Sequence, residues 1–188
     1  MWLNGKLIFD GDQDENLKDF LKSSYRHLQF RYPKFFKMDN LSKLSILAAE
    51  LILTKVDLNE LEHNIALIFS NKASSLDTDR KHQKSIDNVD HYFPSPAIFV
   101  YTLPNIGIGE ISIRYQLKSE NGFFIFDVYN PEFHSNYEEL LIKSNKSDAV
   151  LAGWVDVDND DYEAFVYLVS KNGNIAHTEQ NLIKLYKE

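Results

Sequence analysis

The sequence predicts an α/β fold, with a mixed β-sheet flanked by helices. Two observations carry this. Short apolar runs of strand length, such as 65–69 and 149–157, are interleaved with amphipathic segments of ten or more residues. Hydrophobic residues make up 44% of the chain and aromatics 13%, which is ample for a core and unlike a disordered chain. At 188 residues, a single domain over 1–188 is expected. There is no internal repeat, no low-complexity segment and no composition shift that marks a linker.

The elements follow in order. Asn4-Gly5 favours a primed turn, so Trp2 to Phe9 reads as a hairpin. Leu17, Phe20, Leu21 and Leu28 recur at helical spacing and predict a helix over about 16–30, with Pro33 in the turn after it. Leu44, Leu47, Ala48, Leu51 and Ile52 form the buried face of a helix over about 41–54, capped by Asp39 or Asn40. Ile65 to Phe69 is continuous enough for a central strand. Residues 70–90 are polar and read as loop with some helix, and Ala97 to Leu103 as extended or strand-like. Pro104-Asn105 opens a helix to about 117, because proline suits the first helical position. Strands are predicted at 123–128, 149–157 and 162–170. Between the first two, Ser135 to Glu138 matches the S-x-x-E capping box of a helix reaching about 145. The tail, about 178–187, is helical.

Charge and composition exclude several functions. A net charge of -8 argues against nucleic acid as the main partner, since phosphate binding needs a basic face. Cysteine is absent, so there is no disulfide, thiolate metal site or cysteine nucleophile. The first ten residues lack the pattern of a signal peptide, and no run approaches the ~18 apolar residues of a membrane span. A cytoplasmic protein without a cofactor or metal is expected. Asp156-x-Asp158-x-Asp160-Asp161 departs from a calcium loop at the positions of its glycine and last glutamate, and reads as an acidic turn. His27, His63, His82, His91, His134 and His177 form no i, i+4 pair, and each reads as a surface or loop residue. There is no GxSxG and no phosphate-binding glycine loop; Gly107-x-Gly109 lies inside a predicted helix. Lys18, Lys22, Arg26, Arg31, Lys34, Lys37 and Lys43 cluster with only Asp19 and Asp39 opposing. They read as a solvated face or as a docking patch for an acidic partner.

The most informative stretch runs from Ser95 to Val155: SPAIFVYTLPNIGIGEISIRYQLKSENGFFIFDVYN, then KSDAVLAGWVDV. Pro104, Asn105 and Gly109, then Asn121, then Asp148, Ala152 and Gly153 resemble successive motifs in the N-terminal half of β-ketoacyl-carrier-protein synthases, of the thiolase-like superfamily. Trp154 replaces the second glycine of the last motif, and Ser119-Glu120 replace Gly-Pro before Asn121. YPKFFKMDNLSKLSILAAE and IALIFSNKASSLDTD are similar to the short 3-oxoacyl-carrier-protein-synthase-like chains of aryl-polyene and flexirubin-type clusters. The resemblance covers about 30–157 and implies a thiolase-like half-fold.

An ungapped alignment over 119–148 puts Val128 where that family has its nucleophilic cysteine. A ketosynthase forms a thioester on that thiolate, and two histidines of its C-terminal half stabilise the developing charge. This chain offers no counterpart to those histidines. The resemblance therefore implies a catalytically silent subunit, like a chain length factor or scaffold, working in fatty-acid or polyene-type synthesis. Its partner would be a competent ketosynthase or a second copy, with acyl carrier protein as a further candidate. Phe123, Phe124, Ile125 and Phe126 suit a strand pairing across the dimer, or plain core. The alternative is an acyl-transfer enzyme of altered chemistry, with Asp127 and His134 as its first candidates.

Overall fold

The computed structural model describes residues 1–10, 16–88, 90 and 92–187; His91 lies outside them. The chain opens with a small hairpin, β1 (Trp2–Leu3) and β2 (Lys6–Leu7), turning on Asn4 and Gly5 at φ 51° and 70°. Helix α1 (Leu17–His27) is capped by Asn16, whose side chain accepts from the Asp19 amide. It stops three residues earlier than its apolar spacing suggests, and Gln29 at φ 50° turns the chain toward Phe30. A 3-10 turn at Pro33–Lys37 leads to α2 (Asn40–Leu53). Of the two cap candidates, Asp39 caps α2, accepting from the Ser42 amide at 2.9 Å, and Asn40 is the first helical residue.

Four strands build the main sheet: β3 (Ile65–Asn71), β4 (Asn121–Ile125), β5 (Ala149–Asp158) and β6 (Asp161–Ser170). Their order is β4-β3-β5-β6, parallel except for the antiparallel β5–β6 hairpin. Side chains alternate across β3 and sort into two layers. Ile65, Leu67 and Phe69 face a large core with Leu17 and Leu21 of α1, Ile46 and Leu47 of α2, and Ile108 and Ile111 of α5 (Asn105–Tyr115). Ala66 and Ile68 face a smaller one with Leu141 of α6 (Pro131–Lys143) and Val150 and Ala152 of β5. Helix α7 (Glu179–Lys187) packs beside α6. Burying each large apolar side chain contributes about 1.5–3 kcal/mol, so the first layer dominates stability.

Two close approaches fix the layers. A Cβ on Gly107 would sit 3.3 Å from the Cα and Oγ of Ser42, which lets α5 lie tightly against α2. Gly153, at φ 156° on β5, has the backbone of Phe165 and Val166 of β6 directly over the place a Cβ would occupy.

The structure corrects three sequence expectations. Residues 97–103 are not extended: Pro96–Val100 forms helix α4, with Pro96 in its first turn and the Ser95 hydroxyl accepting from the Ile98 amide. The chain then continues as turns, with Tyr101 and Thr102 amides donating to Ile98 and Phe99 carbonyls. Helix α6 begins at Pro131 rather than Ser135, because Asn130 caps it by accepting from the Phe133 amide at 3.0 Å. The Ser135/Glu138 pair lies inside that helix. Strand β4 ends at Ile125, so Asp127 and Val128 fall in the bend that follows. The polar stretch 70–90 contains helix α3 (Leu76–Lys84).

Candidate functional site

Of the residues that carry the resemblance, Asn121 and Asp148 tie sheet ends to their neighbours. Asn121, at the start of β4, donates from its side-chain amide to the Ser112 hydroxyl of α5 at 3.1 Å. The Asp148 carboxylate accepts from the Asn64 side chain at 2.9 Å, and its amide donates to the Asn64 carbonyl, so the starts of β5 and β3 are locked together. Pro104 stands at the cap position, one residue before α5, and Asn105 is its first residue. Gly109 differs from Gly107: a Cβ there would meet nothing within 4 Å. A helical glycine without a packing reason is destabilising by about 1 kcal/mol relative to alanine.

Val128 is 71% exposed, and Asp127 beside it is exposed as well. Of the aromatic strand residues, Phe123 packs on the large core. Phe124 lies 4.6 Å from the Phe133 ring and 5.6 Å from Tyr137, and Phe126 lies 5.0 Å from Phe133. Ile125 alone is largely exposed. Because β4 is an edge strand, one row of its backbone groups is unpaired within the sheet.

His134 corrects the expectation of a surface or loop histidine: it is fully buried, on the inner face of α6. Its Nε2 is 2.7 Å from the Ser70 hydroxyl of β3, and its Nδ1 is 2.7 Å from the Glu138 carboxylate one turn on. The Tyr167 hydroxyl of β6 donates to the same Glu138 oxygen at 2.9 Å, and Tyr129 and Tyr167 hydroxyls are 3.1 Å apart. Ser70, His134 and Glu138 all have zero exposure. Burial raises the Tyr129 and Tyr167 phenols well above their ordinary range, and the Glu138 carboxylate adds to it. Chemically this is a hydroxyl, an imidazole and a carboxylate in the order nucleophile, base, orienter, sealed from solvent.

Asp127 is not part of this cluster. Ser70, Tyr129 and Tyr167 were missed in the sequence, and Glu138 was read there only as the end of a capping box. One signal was available, since His134 and Glu138 are spaced i, i+4 on one helix face. Ser70 was hidden because it directly follows the apolar run 65–69 and reads as the start of the loop.

The remaining sequence candidates resolve as surface features. The acidic segment is the β5–β6 turn, with Asn159 at φ 60°; Asp158 pairs with Arg80, and Asp156 accepts from the Lys72 and Ala73 amides. No cluster of three or more His, Asp or Glu side chains suited to a metal occurs among the described residues. In the basic stretch, Lys22 pairs with Asp19 and Lys34 with the buried Glu110 at 2.6 Å. Desolvation lowers the Lys43 ammonium, which lies 5.9 Å from the Phe35 ring. Lys18, Arg26, Arg31 and Lys37 stay exposed. No helix among the described residues is long and apolar enough to cross a membrane.

No family model and no curated protein matches the chain. Solved structures do. The ishigamide ketosynthase/chain length factor superposes with a TM-score of 0.62 at 16% identity, over 75% of this chain and 46% of that one. A chain of a ketosynthase in complex with its chain length factor from Xenorhabdus doucetiae gives 0.60 at 12% identity, over 85% of this chain and 73% of that one. A chain from a type II polyketide synthase acyl-carrier protein in complex with its ketosynthase gives 0.55 at 18%, over 69% and 38%. The chain thus spans less than half of two of these three and most of the second. What these structures share with it is the fold: a thiolase-like α/β fold of the kind found in ketosynthases and chain length factors.

Proposed function

We propose that this chain is a catalytically silent, cytoplasmic ketosynthase-like subunit that pairs with a competent ketosynthase in polyketide or polyene-type synthesis, as a chain length factor or scaffold. One observation carries the reading: the residue aligned with the family nucleophile is Val128, and the sequence has no thiol. A valine side chain has no lone pair with which to form a thioester. Three further features support pairing. Gly109 and the 67% exposed Ile113 lie one turn apart on α5, next to the edge strand β4 with its exposed Ile125. A partner packed there would give Gly109 the close contact it lacks within the chain. Exposed Lys18, Arg26 and Lys37 suit an acidic carrier protein. The similarity to complexes of a ketosynthase with its chain length factor is in keeping with this.

The test is a tagged pull-down from the native host with intact-mass identification. A cysteine-bearing ketosynthase recovered in equal ratio is the expected result. Recovery of the chain alone, or as a self-dimer, overturns the proposal.

The Ser70–His134–Glu138 array favours a second reading, acyl transfer through serine. The Ser70 Oγ would attack an acyl thioester carbonyl, His134 would take the hydroxyl proton, and the thiolate would leave and be protonated. The complete burial of Ser70 ranks this second. An acyl adduct on intact mass after incubation with acyl-CoA, lost in Ser70→Ala, is its signature.

A further inference from the structure

The buried cluster under α6 contains an unmade bond. Glu138 Oε1 is engaged by His134 and Tyr167, whereas Oε2 is buried and has no hydrogen bond. The Nε2 of His177 lies 3.1 Å from Oε2, is buried as well, and makes no hydrogen bond either. The two atoms are at bonding distance and misaligned. His177 sits in the segment 171–178 that joins β6 to α7. Among the described residues, His134 and His177 are the only basic side chains within ion-pair distance of Glu138.

We propose that a proton on His177 closes this contact and clamps segment 171–178 and α7 onto α6, and that the clamp loosens as pH rises through the imidazole range. A charged donor to a buried carboxylate is among the stronger hydrogen bonds, and imidazole is the side chain that changes charge near neutrality. Several titratable groups surround the contact. From α6 come Glu138 and His134; from β6, Tyr167, whose ring is 6.4 Å from His177; and from the loop before α6, Tyr129. From α7 comes Tyr186, whose hydroxyl donates to Glu163 of β6. The phenols stay neutral around pH 7: burial drives Tyr129 and Tyr167 far up, and Tyr186 to about 12. His134 is fully enclosed with both ring nitrogens partnered. The His177 side chain keeps 17% of its surface and is the imidazole that solvent protons reach.

The clamp has a defined reach. Tyr186 packs 4.8 Å from the Tyr129 ring and 5.4 Å from Phe165, so α7 reaches the buried Tyr129, which follows the exposed Val128 in the loop before α6. A proton on His177 therefore tightens the packing of α7 on Tyr129. The sign follows from the donor: the stabilisation is present in acid and lost on the alkaline side.

Hydrogen exchange of the isolated chain tests this without any partner, so its outcome is separate from that of the pull-down. Corrected for intrinsic rates, α7 amides are expected to open about tenfold more often at pH 8 than at pH 5.5. His177→Gln, which supplies a neutral donor at every pH, is expected to flatten that profile. In the wild-type chain, the His177 ring resonance is expected to titrate in step with α7 exchange. A flat wild-type profile, an unchanged slope in the variant, or a ring titration out of step with exchange each overturns the proposal.

Discussion

Replacing Gly153 with alanine tests how tightly the β5–β6 pair is built. At φ 156° the new Cβ would lie 2.8 Å from the Val166 Cα and closer still to the Phe165 carbonyl oxygen. Both obstacles are backbone, held in a ten-residue register from Ala149↔Ser170 to Asp158↔Asp161. Rotamer changes cannot relieve the clash, so the strands must separate locally. Backbone strain at such a residue amounts to about 1–3 kcal/mol, and overpacking adds about 1–3 kcal/mol. A combined loss of about 2–6 kcal/mol is a large share of the ~5–15 kcal/mol available to a folded domain. With a urea slope of about 2 kcal/mol/M, the unfolding midpoint should fall by roughly 1–3 M. A midpoint within ~0.5 M of wild type would refute the close approach and the reason given for a glycine at this motif position.

Other substitutions divide packing from pairing. Gly109→Ala, with open space at its Cβ, should stabilise the isolated chain by about 0.5–1 kcal/mol in urea melts while reducing recovery of the partner in the pull-down. Gly107→Ala, pressed on Ser42, should be less stable than Gly109→Ala by at least ~1 kcal/mol in the same melts. His134→Ala strands the Ser70 hydroxyl and the Glu138 carboxylate in the interior, and should cost about 3–5 kcal/mol by the same measurement. Ile125→Lys on the exposed edge should leave stability within ~0.5 kcal/mol yet lower co-purification with the partner; unchanged recovery would remove β4 from the interface.

The sequence predicts the layered fold well where one residue pattern dictates one structure. Asn4-Gly5 specifies a turn, Asp39 a cap, and the run at 65–69 a buried strand, and each is found there. It misleads where two local signals compete. At 97–103 the aromatic and β-branched residues suggest a strand, but Ser95-Pro96 supplies a helix start that closes its own hydrogen bonds. At 130–138 two helix-start patterns overlap, and Asn130-Pro131 prevails over Ser135/Glu138. The buried cluster is harder to see, because it joins β3, α6, β6 and a loop across long stretches of chain. Only the His134/Glu138 spacing is local enough to leave a trace. The significance of glycines is likewise non-local: Gly107, Gly109 and Gly153 look alike in the sequence, and their neighbours alone distinguish them.

The two-residue turn between β5 and β6 bears on the order in which the chain folds. Its residues Asn159 and Asp160 bring ten pairs together with little loop to close, whereas β3 reaches β5 only after more than seventy intervening residues. Loop-closure entropy therefore favours the hairpin as an early local structure, ahead of the pairing of β3 with β5. Pulse-labelling exchange should protect the amides of 149–170 before those of 65–71, and the opposite order would count against this sequence of events. Strand β4, the edge that the proposed partner would cover, is tied to the hairpin through β3 alone, so its pairing surface belongs to the finished sheet only once β3 is in place.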